Sequence, residues 1–288
     1  MEYLCKMKEF LKNIRQKLYP AFGQRESDAM IRIIFRELKG WSPVDIVMNE
    51  DKPLSDFIKE KIDRIVDRLI AGEPIQYIFN SAYFYGMDLY VDPSVLIPRP
   101  ETEELVDMIV KQNTGKDLRV LDIGTGSGCI AIALYRNLLF PEIEAIDISP
   151  EAIAIAKKNA AKLNANINFI QADIFHIDLR EEKFDIIVSN PPYIGLSEKK
   201  DMESNVTDHE PHSALFVPDS DPTIYYKRIT SVASDCLRPE GRIYYEVNPL
   251  HAGQVAEELA DAGFSGISIV KDMYAKDRFV TAILDSNK

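Results

Sequence analysis

From Glu101 onward the chain alternates short apolar runs with stretches of helical period, and no other feature constrains the fold as strongly. The runs are Val120–Ile123, Ile143–Ile148, Ile167–Ile170, Phe184–Val188 and Ile243–Val247. Runs that are apolar throughout need cover on both faces. The pattern therefore predicts an α/β domain with a parallel sheet between helical layers. Ser265–Val270 and Arg278–Leu284, separated by the polar turn Lys271–Lys276, predict an antiparallel edge. The polar, irregular stretch from Gly195 to Pro222 reads as a long loop.

Before Glu101 the period changes. Leu4, Met7, Leu11, Ile14 and Leu18 recur at the spacing of one helical face, and Tyr19-Pro20 is expected to stop that helix. A second helix is expected after Ser27 as its cap, with Met30, Ile33, Ile34 and Leu38 inward and Gly40 at its end. Ser42-Pro43 marks another start. Ser55 precedes the most amphipathic stretch, with Ile58, Ile62, Ile65 and Leu69 on one face and Gly72 closing it. Residues 1–75 thus read as a small helical bundle without a catalytic cluster. Residues 76–100 read as a linker whose segments Tyr83-Phe84-Tyr85 and Leu89-Tyr90-Val91 form a β-hairpin turning at Gly86, and residues 101–288 as the α/β domain.

The 288 residues, 46% of them hydrophobic, suffice for two domains. No apolar run approaches the ~20 residues that cross a bilayer, and Met1–Lys6 lacks a secretory pattern, so a cytoplasmic protein without membrane contact is expected. A formal net charge of −12 argues against a main affinity for a phosphate backbone, which needs clustered Lys and Arg. Cys5, Cys129 and Cys236 have no disulfide or zinc spacing and read as small buried residues. His209 and His212, beside Glu210, do not make a metal site, and none is expected elsewhere.

Two segments carry chemistry. In the first, Gly124, Gly126 and Gly128, interleaved with Thr125 and Ser127, follow the run Val120–Ile123 directly and precede a helix beginning near Cys129. Glycines allow a sharp turn and let backbone N–H groups approach a ligand. A dinucleotide site and a methyl-donor site both use such a corner. Cys129, where a dinucleotide fingerprint wants glycine or alanine, favours the methyl donor, and the Asp122-x-Gly-x-Gly-x-Gly order resembles the loop of Rossmann-like methyltransferases. Asp147, ending the next run, has the placement of an acid that accepts from both ribose hydroxyls. Asp173 could receive an adenine amino group and Ile174 could pack on its ring; a solvated strand end or a helix cap is the alternative for either acid.

The second segment is Asn190-Pro191-Pro192-Tyr193, directly after Phe184–Ser189. Two prolines cannot continue a sheet, so the chain must leave the strand as a rigid loop with bare carbonyls. The Pro191 C=O and the Asn190 side chain supply two acceptors and Tyr193 a flat face, a set that suits a planar NH₂ group. These four residues resemble the signature of S-adenosylmethionine enzymes that methylate a nitrogen conjugated to an sp² carbon.

With both segments in this order, the chain resembles the protein-(glutamine-N5) methyltransferases that modify bacterial peptide chain release factors. Gly72–Ile78 and Leu96–Glu103 look like that family's junction segments, and Glu210-Pro211 with Ala214-Leu215-Phe216 resembles its loop after the motif. In place of the glycine-rich turn usual there, this chain runs Phe216–Pro222. The resemblance implies a class I methyltransferase sheet, S-adenosyl-L-methionine as donor, and the glutamine of a Gly-Gly-Gln tripeptide as acceptor. It places Asn190, Pro191 and Tyr193 on the glutamine amide, with Pro192 in the same pocket. It also places Gly124, Thr125, Gly126, Ser127, Gly128, Asp147, Asp173, Ile174 and Asn190 around the donor, in an enzyme expected to act as a monomer without direct nucleic-acid contact. Arg99, fixed between two prolines, is expected to pair with a carboxylate, while Glu101 and Glu103 suit the first turn of a helix. The rivals are an amino methyltransferase acting on adenine or cytosine, which would want a basic surface, and a catalytically silent module that retains the donor loop.

Overall fold

A computed structural model describes residues 6–202 and 204–285, so Leu4 and Cys5 lie outside the described residues. The chain divides into two units, Met1–Asn80 and Ser81–Lys288. The described residues of the first form four helices: α1 (Met7–Lys39), α2 (Pro43–Met48), α3 (Asp56–Ile70) and α4 (Ile75–Phe79). Contrary to expectation, Pro20 does not stop α1. The break falls at Gly23, whose φ of 71° and ψ of 170° only glycine adopts readily. Ser27 consequently lies inside the second half of the helix rather than capping it, and its hydroxyl donates back to the Gly23 carbonyl at 2.6 Å. Gly40, at φ 66°, ends α1 in the left-handed conformation. Ser42 opens α2 with a reciprocal capping box to Asp45. Leu11, Ile14, Leu18, Ile34, Phe35, Ile62, Val66 and Leu69 are buried in the core of this unit. Val44, Val47 and Met48 on α2 and Phe57 on α3 are exposed.

The second unit begins with an antiparallel hairpin, β1 (Ala82–Phe84) and β2 (Met87–Leu89). Phe84, Met87 and Leu89 are buried in the core of this unit, so the hairpin is part of it. Next come α5 (Pro100–Gln112), β3 (Arg119–Ile123), α6 (Cys129–Asn137), β4 (Glu142–Asp147), α7 (Pro150–Lys162), β5 (Asn168–Gln171) and β6 (Phe184–Ser189). They are followed by β7 (Ile194–Gly195), α8 (Ser204–His209), β8 (Phe216–Val217), α9 (Ile224–Cys236), β9 (Leu237–Glu246), α10 (Ala252–Asp261), β10 (Phe264–Lys271) and β11 (Asp277–Leu284). Seven strands form one sheet in the order β10-β11-β9-β6-β3-β4-β5. The strands from β9 to β5 are parallel, and β11 and β10 add antiparallel at one edge.

Alternate strand residues feed two cores. Val120, Ile186, Val188 and Tyr244 pack with α5, α6 and α7, whereas Leu121, Ile187, Ile243 and Tyr245 pack with α9 and α10. This is the two-faced cover that the apolar runs require. The stretch from Gly195 to Pro222 is more ordered than a plain loop. It contains α8, two 3₁₀ turns and the parallel pair β7–β8. Acidic side chains organise it locally: Glu198 accepts from the Gly195 N–H at 2.7 Å, and Asp219 accepts from the Ser197 N–H and hydroxyl at 3.0 and 2.9 Å.

Candidate active site

Strand register brings the two sequence segments together. Ile123 of β3 lies opposite Ser189 of β6 and Ile146 of β4, and Ser189 lies opposite Tyr245 of β9. Gly124, Asn190, Asp147 and Glu246, each the next residue or the strand's last, therefore stand in one row along the carboxyl edge of the sheet. The chain runs from β3 outward to β5 and then returns to β6 on the other side of β3, so β3 and β6 flank the switch point where open α/β sheets hold their ligands. A cleft occupies that place. Its walls include Gly124–Ser127, Asp147, Asp173, Ile174, Asn190–Pro192, Thr102 and Tyr225.

The glycine loop turns on three left-handed residues, with φ of 75° at Gly124, 55° at Gly126 and 81° at Gly128. A Cβ at Gly124 or Gly126 would meet nothing within 4 Å, whereas one at Gly128 would stand 3.1 Å from the Ala156 Cβ. The first two glycines leave room for a ligand, and the third lets α7 approach. Asp147 accepts from the Gly126 N–H at 2.8 Å and from the Ser149 N–H at 3.0 Å, which ties the loop to β4. Burial raises its pKa. Asp122 is fully buried, accepts from the Thr125 hydroxyl at 2.7 Å and has no partner for Oδ1. Desolvation pushes its carboxyl up to about 7. Asp173 accepts from the Phe175 N–H at 2.9 Å and bonds His176 Nδ1 at 2.6 Å, and these bonds lower its pKa. It is thus partly engaged by its own turn. Ile174 is buried in the second core and also lines the cleft.

At the other segment, Ser189 donates its hydroxyl to the Ile123 carbonyl at 2.7 Å, fastening the ends of β6 and β3. Asn190 Nδ2 donates to Thr102 Oγ1 at 3.3 Å, and the Thr102 hydroxyl donates to Glu246 Oε2 at 2.7 Å. Tyr193 donates its hydroxyl to Glu246 Oε1 at 3.3 Å. Burial and the Glu246 charge keep that phenol protonated, far above its ordinary pKa. Asn190 Oδ1 and the Pro191 carbonyl accept no hydrogen bond among the described residues. They form a pair of acceptors able to take both hydrogens of an NH₂ group.

The glycine loop and the Asn190–Tyr193 segment are legible in the sequence, whereas Thr102 and Glu246 are not. The available signal was an acid at the end of the run Ile243–Val247. Arg99 pairs with Glu210, whose carboxylate also accepts from the Ile97 N–H at 3.2 Å. Glu101 and Glu103 lie in the first turn of α5 after Pro100. Cys129 and Cys236 are buried free thiols, both pushed up to about 12 by desolvation. Among the described residues no cluster could hold a metal ion, and no helix is long and apolar enough to cross a membrane.

An open pocket at the carboxyl edge of this sheet, with a glycine turn on one side and an Asn-Pro-Pro-Tyr loop on the other, defines an S-adenosylmethionine-dependent class I methyltransferase. Two family models match, a methyltransferase domain over residues 114–275 and the PrmC N-terminal domain over residues 9–79. The chain is 44% identical to the release factor glutamine methyltransferase of Bacteroides thetaiotaomicron, over 93% of this chain and 97% of that one. It is 40% identical to the enzyme of the same name from Flavobacterium psychrophilum, over 94% and 98%. The protein belongs to the release factor glutamine methyltransferase family. Among solved structures, the 16S rRNA N2 G1207 methyltransferase RsmC of T. thermophilus, in complex with AdoMet and guanosine, shares the fold. Its TM-score is 0.52 at 19% identity, over 71% of this chain and 49% of that one. A methyltransferase from Pyrococcus furiosus matches with a TM-score of 0.51 at 16% identity, over 78% and 98%.

Proposed function

We propose that this enzyme transfers the methyl group of S-adenosyl-L-methionine to the side-chain amide nitrogen of the glutamine in the Gly-Gly-Gln motif of peptide chain release factors. The observation that carries the reading is the acceptor pair, Asn190 Oδ1 and the Pro191 carbonyl, left without donors among the described residues in the same row as the glycine loop. When bound, the donor supplies a methyl group on a sulfonium sulfur. Gly124, Thr125, Gly126 and Ser127 would make its cradle, with Gly128 closing the turn against α7, while Asp147 would face its ribose and Asp173 and Ile174 its adenine. The open Cβ positions at Gly124 and Gly126 leave space for such a ligand.

A carboxamide nitrogen is a poor nucleophile because its lone pair is delocalised into the C=O. Asn190 and Pro191 take both amide hydrogens, hold the nitrogen in line for attack and favour the positive charge that develops on it. Tyr193 and Pro192 confine the flat amide and exclude water. With its phenol held protonated, Tyr193 is no general base. None is needed, since the alkylated nitrogen becomes acidic and releases its proton to a carbonyl or to water.

Residues 1–75 serve as the substrate-recognition part, 76–100 as the connection and 101–288 as the methyltransferase domain. A tripeptide offers too few atoms to be chosen among all cellular glutamines, so selectivity needs a second surface. Exposed Val44, Val47, Met48 and Phe57 of the helical unit supply apolar contacts for one. On this reading the enzyme acts as a cytoplasmic monomer without direct nucleic-acid or membrane contact. The test offers labelled donor with a release factor, the same factor carrying alanine for the motif glutamine, and duplex DNA. Label is expected in the intact factor only. Label in the alanine factor or in the DNA overturns the assignment.

A further inference from the structure

Thr102 and Glu246 belong to neither sequence segment, yet they determine how the Asn190–Tyr193 loop presents itself. Both are buried, with 2% and 1% of their surface exposed. Counting protons fixes the direction of each bond. An ionised carboxylate only accepts, and a threonine hydroxyl has a single proton. That proton goes to Glu246 Oε2 at 2.7 Å, so toward Asn190 the Thr102 oxygen can only accept, and Nδ2 stands opposite it at 3.3 Å. The Asn190 carbonyl oxygen is thereby turned to the other side, where no donor among the described residues meets it. The second oxygen of Glu246 takes the Tyr193 hydroxyl at 3.3 Å. One buried carboxylate thus sets the hydrogen-bond direction at two of the four loop residues.

The Glu246 pKa is raised, with burial the largest cause; the Thr102 and Tyr193 hydroxyls and the charge of Arg278 oppose that rise, and Glu101 adds to it. Arg278 is in turn held by the buried carboxylate of Asp272 at 3.2 Å. Were Glu246 neutral, the Thr102 hydroxyl would be free to donate to Asn190. The amide would then be stable in its flipped form, with an NH₂ presented to a substrate NH₂.

We propose that Thr102 and Glu246 are positioning residues that hold the Asn190 amide with its carbonyl oxygen toward the substrate nitrogen, and so govern turnover through the orientation of that amide. The inference rests on the reading of Asn190 as an acceptor for the substrate amide. Its test measures kcat and KM on an intact release factor, with donor affinity by calorimetry, for T102V, T102S, E246Q, N190A and the double variant T102V/N190A. Losing one bond of a buried charged network should lower kcat of T102V about tenfold to hundredfold. KM and donor affinity should stay within about twofold, because the bond acts on the orientation needed in the transition state. T102S keeps the hydroxyl and should restore most of the rate. E246Q, which places a donor where an acceptor stood, should lower kcat at least as far as T102V. In the N190A background, T102V should change nothing further, since its effect passes through Asn190. A folded T102V with the parental kcat overturns the proposal, as does a T102V effect of equal size with and without Asn190. If N190A itself turns over like the parent, the reading of Asn190 fails and the relay fails with it.

Discussion

Gly126 and Gly128 sit two residues apart in one loop, both with positive φ, yet replacing each by alanine should fail in different ways. At Gly128 the new Cβ would stand 3.1 Å from the Ala156 Cβ, 3.2 Å from Ile132 Cδ1 and 3.3 Å from the Ala156 Cα. Helix α7 cannot easily withdraw. Its Asn159 donates to the carbonyls of Tyr90 and Ser127, both at 2.9 Å, and accepts from the Tyr90 N–H at 2.7 Å. The left-handed backbone costs an alanine ~1–2 kcal/mol, and overpacking against a fixed helix costs ~1–3 kcal/mol. A unit of this size loses about 2–4 °C of melting temperature per kcal/mol, so Gly128→Ala should melt about 4–20 °C below the parent. At Gly126 the added Cβ meets nothing within 4 Å, so only the backbone strain remains. Gly126→Ala should then melt at most about 8 °C lower. Its main defect should be a loss of at least about tenfold in affinity for S-adenosylmethionine, because the methyl group enters the space left for the ligand. Scanning calorimetry of both variants, followed by titration with the donor, separates the two effects. Equal melting losses, or a Gly126→Ala protein that binds the donor as the parent does, would refute this account of the loop.

Burial raises the Asp122 pKa from 3.8 to about 7, so between those values the folded protein holds a proton that the unfolded chain has released. Stability should therefore fall as pH rises through this window, by on the order of 4 kcal/mol, and level off above it; melting curves of Asp122→Asn against the parent from pH 4 to 8 should show the slope only in the parent. Val47 and Met48 are exposed, so V47K/M48K should leave the melting temperature nearly unchanged while raising KM for an intact release factor and leaving that for a short Gly-Gly-Gln peptide alone. Unchanged KM for the intact factor would remove this face from substrate recognition. Asp147→Ala frees the Gly126 and Ser149 N–H groups as well as any ribose, so both melting temperature and donor affinity should drop, and a variant that binds the donor like the parent would contradict the ribose assignment.

The sheet could be read from sequence because its strands are apolar on both sides, and the two chemical segments because each follows such a strand at once. Register then does the rest, since equivalent positions of parallel neighbours lie side by side. What escaped the sequence depends on contacts far apart in the chain. Thr102 and Glu246 are separated by 144 positions, and nothing local marks either as a partner of Asn190. The hairpin was legible as an element, but its place in the second unit comes from Phe84, Met87 and Leu89 packing in that core. Pro20 misled because proline is a strong stop signal, whereas a glycine three residues later carries the actual break. Within residues 195–222 the short elements have no periodicity to detect. They are held by single carboxylates such as Glu198, Glu210 and Asp219.

On the proposed function, the acceptor pair at Asn190 and Pro191 directs a methyl group onto one amide nitrogen. Fragmentation mass spectrometry of a release factor, after incubation with the enzyme and isotopically labelled S-adenosylmethionine, tests it most directly. One labelled methyl group is expected, on the side-chain nitrogen of the Gly-Gly-Gln glutamine, together with its loss when the Asn190→Ala enzyme is used. Label on another residue, or undiminished label from Asn190→Ala, would contradict it.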